Sequence, residues 1–464
     1  MRLAWFSPWP PQHSGIAGRS AELVPLLATR GHGIDVFVDE RDAQLARVVW
    51  RASDAGPRPG SVRVQSAHDF IWRQARGQYD LSVYQIGNSR LHEFIWPYLF
   101  RWPGLVALHD ARLHHARGRA LLRRNRFDDY RAEFAWNHPD VSADVAELGV
   151  RGFDGAYYYQ WPMTRAVVES ARLVASHSRG ATEELRNLFP NRPIEYLPLG
   201  EGPAHFDADH ARKSFRASHG IDPTAVVFGV FGALTMEKRV PQILRAFAAT
   251  RDWVPNACLL LAGHLDPSLD LEREIESVGL EDSVRLAEPA DDREFDTAIS
   301  AADVSLNLRW PTALETSGPW IRSLALSRAT IIVDLAHQPH VPVLDPRTWR
   351  RHGPCEELSS DADAKAIAVA IDILDEDHSL RLAMRRLATD SALRDRLGRE
   401  ARRYWEREHT VARMADDYAR AIALAMDQPV PNPKLPAHLR PDPAEFATGL
   451  LARAGATWPL TPHY

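Results

Sequence analysis

Short apolar runs alternate with longer stretches of helical periodicity along most of the chain. Leu3–Phe6 reads as a strand. Ala17–Arg30 follows as a helix, with Ala21, Leu23, Val24, Leu26 and Leu27 at helical spacing, and Gly31-His32-Gly33 stops it. Ile34–Val38 is the next strand, and Leu81–Gln85, Gly104–Leu108, Leu173–Ser176 and Glu195–Leu197 continue the series with helices between them. Strands that are apolar throughout, rather than alternating, are buried on both faces. That is the mark of a parallel sheet covered by helices.

The pattern then restarts. His205–Gly220 is polar and charged, and Asp222-Pro223 is a turn signal. Val226–Phe231, Asn256–Gly263, Val284–Leu286, Val304–Leu306 and Ala329–Asp334 repeat the rhythm of strand and helix, with Val240–Thr250 as the first helix. The expected architecture is therefore α/β, with two similar doubly wound lobes and a hinge near Gly200–Phe215. The spans are 1–200 and 201–400, then a helical return over 401–426 and a tail over 427–464. Asp361 to Met426 reads as helical, with Arg381–Arg403 rich in Leu, Ala and Arg. Pro429, Pro431, Pro433, Pro436, Pro441 and Pro443 forbid regular helix in the tail. Two facing lobes of this kind create a cleft at the carboxyl ends of their strands, where ligands bind.

Composition narrows the class. In 464 residues, 45% are hydrophobic and 25% charged, enough for a sizeable core. The net charge of −5 argues against a general nucleic-acid binder. Cys258 and Cys355 alone make neither a disulfide framework nor a zinc site, so a reduced, cytoplasmic setting is the default. No run approaches the roughly 20 apolar residues of a membrane-spanning helix. Prolines 8, 10 and 11 follow the first apolar run too soon for a signal-peptide core.

Four places could carry chemistry. The loop Ser14-Gly15-Ile16-Ala17-Gly18 joins the first strand to the first helix; a glycine there lets backbone approach a ligand, and the helix start offers N–H groups to an anion. It is not G-x-G-x-x-G, and it also reads as an ordinary strand-to-helix turn. Lys238 and Arg239 follow the first strand of the second lobe and could neutralise a diphosphate, or be a solvated surface pair. Glu315-Thr316-Ser317-Gly318-Pro319-Trp320 opens a helix and could cradle an anion, or be a simple cap. His109-Asp110 ends the strand Gly104–Leu108, with His114 and His115 soon after; a hydrogen-bonding or electrostatic role fits better than a metal site, because no H-E-x-x-H and no cysteine pair accompany it. Of the 14 tryptophans, Trp9 and Trp320 lie beside the cleft loops and are candidates for stacking on sugar.

Over roughly residues 1 to 425 the order and spacing of these pieces resemble the retaining glycosyltransferases of the GT-B fold, family 4 in particular. The resemblance rests on Ser14-Gly15-Ile16-Ala17, His109-Asp110, Gly232…Glu237-Lys238, Glu315…Gly318 ending in Ile331-Ile332-Val333-Asp334, and Tyr404-Trp405 with His409-Thr410 as a closing helix. It implies two facing Rossmann-like lobes, the first binding the acceptor and the second a nucleotide-sugar donor. It further implies that Lys238 stabilises the leaving diphosphate and that Glu315 touches the donor sugar. Ser317 and Gly318 would cradle the anion, His109 would contact the transferred sugar, and Gly15 with Ile16 would approach the diphosphate from the first lobe. No metal cofactor is implied.

Two positions depart from that family's pattern. The second Glu of its Glu-x7-Glu motif, which usually holds the ribose, falls on Ser323, and its diphosphate Arg falls on Ala233, for which Arg239 could compensate. The expectation is a metal-independent, retaining transfer of a sugar to a glycan, lipid-linked or small-molecule acceptor. The rivals are an inactive GT-B-like binding protein and another GT-B enzyme such as a sugar-nucleotide epimerase; a phosphorylase would need a pyridoxal-phosphate lysine context that the sequence lacks. Finally, Arg112–Arg126 holds six arginines and no acid. It reads either as a basic amphipathic helix contacting an anionic membrane at the inner face, or as a solvated helix whose arginines pair with Asp128, Asp129 and Glu133.

Overall fold

The computed structural model describes residues 1–12, 14–42, 45–48, 56–204, 206–333, 340–352 and 365–440. Asp334, Cys355, Pro441 and Pro443 lie outside them. By its internal contacts the chain divides into two units: Met1–His177 with Glu184–Leu197 and the chain from Ala415, and Ser178–Glu183 with Pro198–Met414.

The first unit is built on seven parallel strands among the described residues: β1 (Arg2–Phe6), β2 (Gly33–Val38), β3 (Val62–Ser66), β4 (Leu81–Ile86), β5 (Leu105–Leu108), β6 (Leu173–Ser176) and β7 (Ile194–Tyr196). Their order is β3-β2-β1-β4-β5-β6-β7, so the order reverses beside β1, next to the loop that opens the helix Gly15–Thr29. In doubly wound sheets that switch point is where ligands sit. The core of this unit is aromatic. Phe6 lies about one ring diameter from Phe37, Phe70, Tyr84 and Tyr98, with centroids 4.9–5.1 Å apart. Burying rings of this size contributes roughly 1.5–3 kcal/mol each. β3 went unrecognised in the sequence because Val62-Arg63-Val64-Gln65 alternates like a half-exposed strand; Arg63 instead pairs with the buried Asp35 on β2 at 2.7 Å.

The second unit repeats the plan with β8 (Val227–Phe231), β9 (Cys258–Ala262), β10 (Val284–Ala287), β11 (Val304–Asn307), β12 (Ala329–Val333), β13 (Val343–Leu344), β14 (Arg351–His352) and β15 (Ala368–Ile371). The order is β10-β9-β8-β11-β12-β15-β13-β14, parallel except for the β13–β14 pair. β15 corrects the helical reading of 361–426. Ala366-Ile367-Ala368-Val369-Ala370-Ile371 is a short apolar run that periodicity cannot distinguish from a buried helix. Pairing with β12 and β13 makes it a strand, buried on both faces. Helices then follow at Glu376–Thr389, Ser391–Glu408 and Val411–Asp427. The last of these belongs mostly to the first unit, where Trp5 packs on Tyr418 with ring centroids 5.5 Å apart.

The arginine stretch does not form one basic helix. His114–Leu122 is helical, Asn125 takes a left-handed conformation at φ 55°, and a new helix starts at Phe127. Arg112, Arg117, Arg124 and Arg126 pair with Glu184, Glu133, Glu93 and Asp129 at 2.6–3.1 Å, and Arg119 lies over the Tyr158 ring. Of the two readings of this segment, the structure therefore gives the paired one.

Candidate functional site

In the second unit, the chain leaves β8 at Gly232, whose φ of +86° suits glycine. A side chain there would meet Lys238 Nζ at 3.2 Å and Pro319 Cγ at 3.3 Å. That close approach places the Lys238 ammonium beside the start of the helix Gly318–Ala325. Behind it, Gly263 at φ +151° leaves no room for a Cβ, which would lie 2.2 Å from the Gly232 carbonyl oxygen. Lys238 closes a short helical turn, Met236–Lys238, by donating its amide to Thr235 O at 3.1 Å. The Trp310 amide donates to Glu237 O at 2.8 Å, tying the loop after β11 to that turn. This loop carries Arg309 and Glu315, whose Nε and Oε1 stand 2.7 Å apart. The other oxygen of Glu315 accepts from Thr312 Oγ1 at 2.9 Å and from the Ala313 amide at 2.8 Å. Ser317 caps the helix by accepting from the Trp320 amide at 3.3 Å.

Electrostatics set this group apart. Lys238 is 8% exposed and donates to the Phe231 carbonyl. Burial and, after it, Arg309 push its pKa down against the opposing pull of Glu315, to about 7. An ammonium poised to gain or lose its proton near neutrality, facing a helix N-terminus and a second cation, is arranged for an anion.

In the first unit, Gly15 and Ile16 open the helix Gly15–Thr29, with the Ser14 hydroxyl accepting from the Ile16 amide at 3.3 Å. Arg19, one turn along, donates from Nη1 to Gly15 O at 3.2 Å. Gly87, just past β4, would have a Cβ 2.8 Å from Ile16 Cδ1 and 3.3 Å from Asp110 Oδ2, so its lack of a side chain brings the Gly15 and His109 loops together. His109 lies 2.8 Å from Gln85 Oε1, which also accepts from the Tyr418 hydroxyl at 3.1 Å. A carbonyl oxygen only accepts, so His109 carries its proton on Nε2 and presents Nδ1 as an acceptor. Burial, with His177, His92 and Arg19 nearby, holds this imidazole neutral, well below the usual histidine range. His177 sits with its ring 4.5 Å from that of His109 and has its own pKa lowered to about 4, mainly by burial.

No profile of a known protein family matches the chain, and no curated protein matches it in sequence. Solved structures do match. Sucrose-phosphate synthase from Thermosynechococcus elongatus aligns with a TM-score of 0.59 at 16% identity, covering 90% of this chain and 97% of its own. WaaG, a glycosyltransferase involved in lipopolysaccharide biosynthesis, aligns with a TM-score of 0.57 at 15% identity over 90% and 99%. Anabaena HepE, in complex with UDP and glucose, aligns with a TM-score of 0.55 at 13% identity over 91% and 100%. The chain has the GT-B glycosyltransferase fold.

Within the second GT-B unit, Lys238, Glu315, Ser317 and Gly318 cluster at the carboxyl ends of β8 and β11. Arg239 does not join them. It takes a left-handed conformation, and its guanidinium turns to Glu376 at the start of the helix Glu376–Thr389, Nε to Oε1 2.8 Å. It therefore does not compensate for Ala233. Ser323, expected at a ribose, is 0% exposed, with its hydroxyl 2.8 Å from both Ser305 Oγ and Pro319 O. Trp320, expected to stack on sugar, is 3% exposed and packs inside the unit. Ser323→Ala should cost about 1 kcal/mol of stability in urea unfolding and leave nucleotide affinity unchanged; a tenfold loss of affinity would return Ser323 to the site. Sequence reasoning also missed Arg309, Arg19, Gln85, His177 and Tyr418. Gln85, Arg309 and His177 had one available signal, since each lies at or within two residues of a strand's carboxyl end.

Proposed function

We propose that this GT-B chain is a metal-independent, retaining glycosyltransferase that takes its sugar from a nucleoside-diphosphate donor. The observation that carries the reading is the buried Lys238 beside the N-terminus of the helix Gly318–Ala325, with Arg309 as a second cation close enough to act on it, on the loops that leave β8 and β11 at their carboxyl ends. In such a transfer the bond between the anomeric carbon and the β-phosphate oxygen breaks, and the diphosphate leaves with the bonding electron pair. The acceptor hydroxyl bonds to the anomeric carbon on the same face, and its proton passes to the leaving phosphate oxygen. Negative charge grows on the diphosphate, so fixed cations and amide dipoles lower the barrier. His109, neutral and with Nδ1 as acceptor, is suited to take a hydrogen bond from a sugar hydroxyl, and Gly15 with Ile16 to meet an anion at a helix start. The acceptor is a glycan, a lipid-linked sugar or a small molecule. WaaG, by its description, works in lipopolysaccharide biosynthesis, which supports the glycan or lipid-linked classes.

The test is incubation with UDP-, GDP- and ADP-sugars. Slow release of free nucleoside diphosphate, persisting in EDTA, is expected, with the α or β configuration kept in any glycoside product by NMR. A thermal shift without turnover would point to the inactive sugar-nucleotide-binding reading. Neither shift nor turnover with any donor would defeat the proposal.

A further inference from the structure

We propose that Arg309 is the second cation of the diphosphate site, acting beside Lys238. This inference rests on the donor reading above and assigns to it a residue outside the sequence motifs.

The first argument is position. Arg309 lies two residues beyond β11, and the next residue, Trp310, is bonded to Glu237, the neighbour of Lys238. The two cations are thus carried by loops from adjacent strands, β8 and β11, and fastened to one another through backbone. The second argument is access. The Arg309 side chain is 41% exposed, whereas its partner Glu315 is 11% exposed. Arg309 can therefore reach a ligand while staying anchored.

Charge gives the third argument. Lys238 and Arg309 share one carboxylate, Glu315, and the second oxygen of that carboxylate is already committed to Thr312 and Ala313. The two cations repel one another in a partly buried place, and Arg309 depresses the protonation of Lys238 accordingly. A bound diphosphate relieves that repulsion and accepts from both. Arg309 Nε stands 2.7 Å from Glu315 Oε1, and a guanidinium has the planar geometry that matches phosphate oxygens. In this arrangement Glu315, held through its other oxygen, aims Arg309. Finally, the neighbouring alternative is occupied: Arg239 is neutralised by Glu376.

The experiment is calorimetric titration of UDP, GDP and ADP, and of the corresponding nucleosides, into the wild type, Arg309→Gln, Arg309→Lys and Arg239→Gln. For the nucleoside diphosphate that binds, Arg309→Gln is expected to weaken affinity by about ten- to a hundredfold, the usual weight of a charge-assisted hydrogen bond. The nucleoside itself should bind alike to both. Arg309→Lys should recover part of the loss, and Arg239→Gln should bind as the wild type does. Wild-type affinity in Arg309→Gln overturns the assignment alone. A wild type that binds no nucleoside diphosphate overturns the donor reading and this assignment with it. Equal losses for nucleoside and diphosphate would mean that Arg309 only shapes the pocket, which also overturns it. Unchanged thermal midpoints confirm that the variants are folded, as the exposure of Arg309 leads one to expect.

Discussion

Lys238→Ala is expected to lower kcat/KM for sugar transfer by about 100- to 1,000-fold, the range for removing one preorganised charge-stabilising donor. Its fold should survive. Burial holds the pKa of Lys238 near 7, against 10.5 for an ordinary lysine. The unfolded chain therefore binds more protons here, and this residue makes stability rise with pH between about 7 and 10.5. At neutral pH the buried ammonium contributes no stability that alanine would lose. The same shift predicts a pH profile. Arg309 lowers the lysine and Glu315 raises it, and in the free protein kcat/KM should fall above about pH 7 as the ammonium is lost. A bound diphosphate favours the charged form, so the corresponding limb in kcat should move to higher pH. A flat kcat/KM from pH 6 to 9, or near-wild-type turnover in the alanine variant, would remove Lys238 from the reaction.

Asp303→Ala should have the largest effect on stability, about 3–5 kcal/mol in urea unfolding, because it would leave buried guanidinium charge uncompensated. Asp303 precedes β11 and accepts from Arg212 at 2.6 Å, from Arg216 at 2.8 Å and from the Val227 amide at 2.7 Å. Burial alone would raise its pKa. Arg212 and Arg216 and the Val227 amide overcome burial and hold it below the usual range. The group therefore stabilises the fold above the ordinary aspartate pKa, and that contribution is lost as pH falls through the lowered one. It lies at the amino-terminal edge of the sheet, opposite the edge that carries Lys238, so turnover at a permissive temperature should be unaffected. A loss below 1 kcal/mol would show that the two arginines find other partners.

Much of the fold is legible in the sequence. Phe6, Val230 and Leu261 lie in short apolar runs bounded by Gly and Pro, the pattern of strands covered on both faces. The site was half legible. Lys238 and Gly318 could be placed because a residue following an apolar strand, or opening the next helix, is confined to the sheet's carboxyl edge whatever the packing. Ser323 and Arg239 could not, because their roles depend on where a side chain turns once the element is formed. A helix offers a buried face and an open one within two residues of each other, and a left-handed residue such as Arg239 reverses the direction that spacing suggests.

The sequence by itself thus determined two doubly wound parallel sheets and placed Lys238 and Gly318 at the carboxyl edge of the second. Those follow from local periodicity and from the burial that each run of residues demands. Only the tertiary structure decided which cation stands beside Lys238, that Glu376 removes Arg239, that Glu93 and Glu184 absorb charge from the arginine stretch, and that Gln85 fixes the tautomer of His109. Each of these is a pairing between residues far apart in the chain. Pairings of that kind are chosen by distance and dielectric after folding, and no spacing along the sequence encodes them.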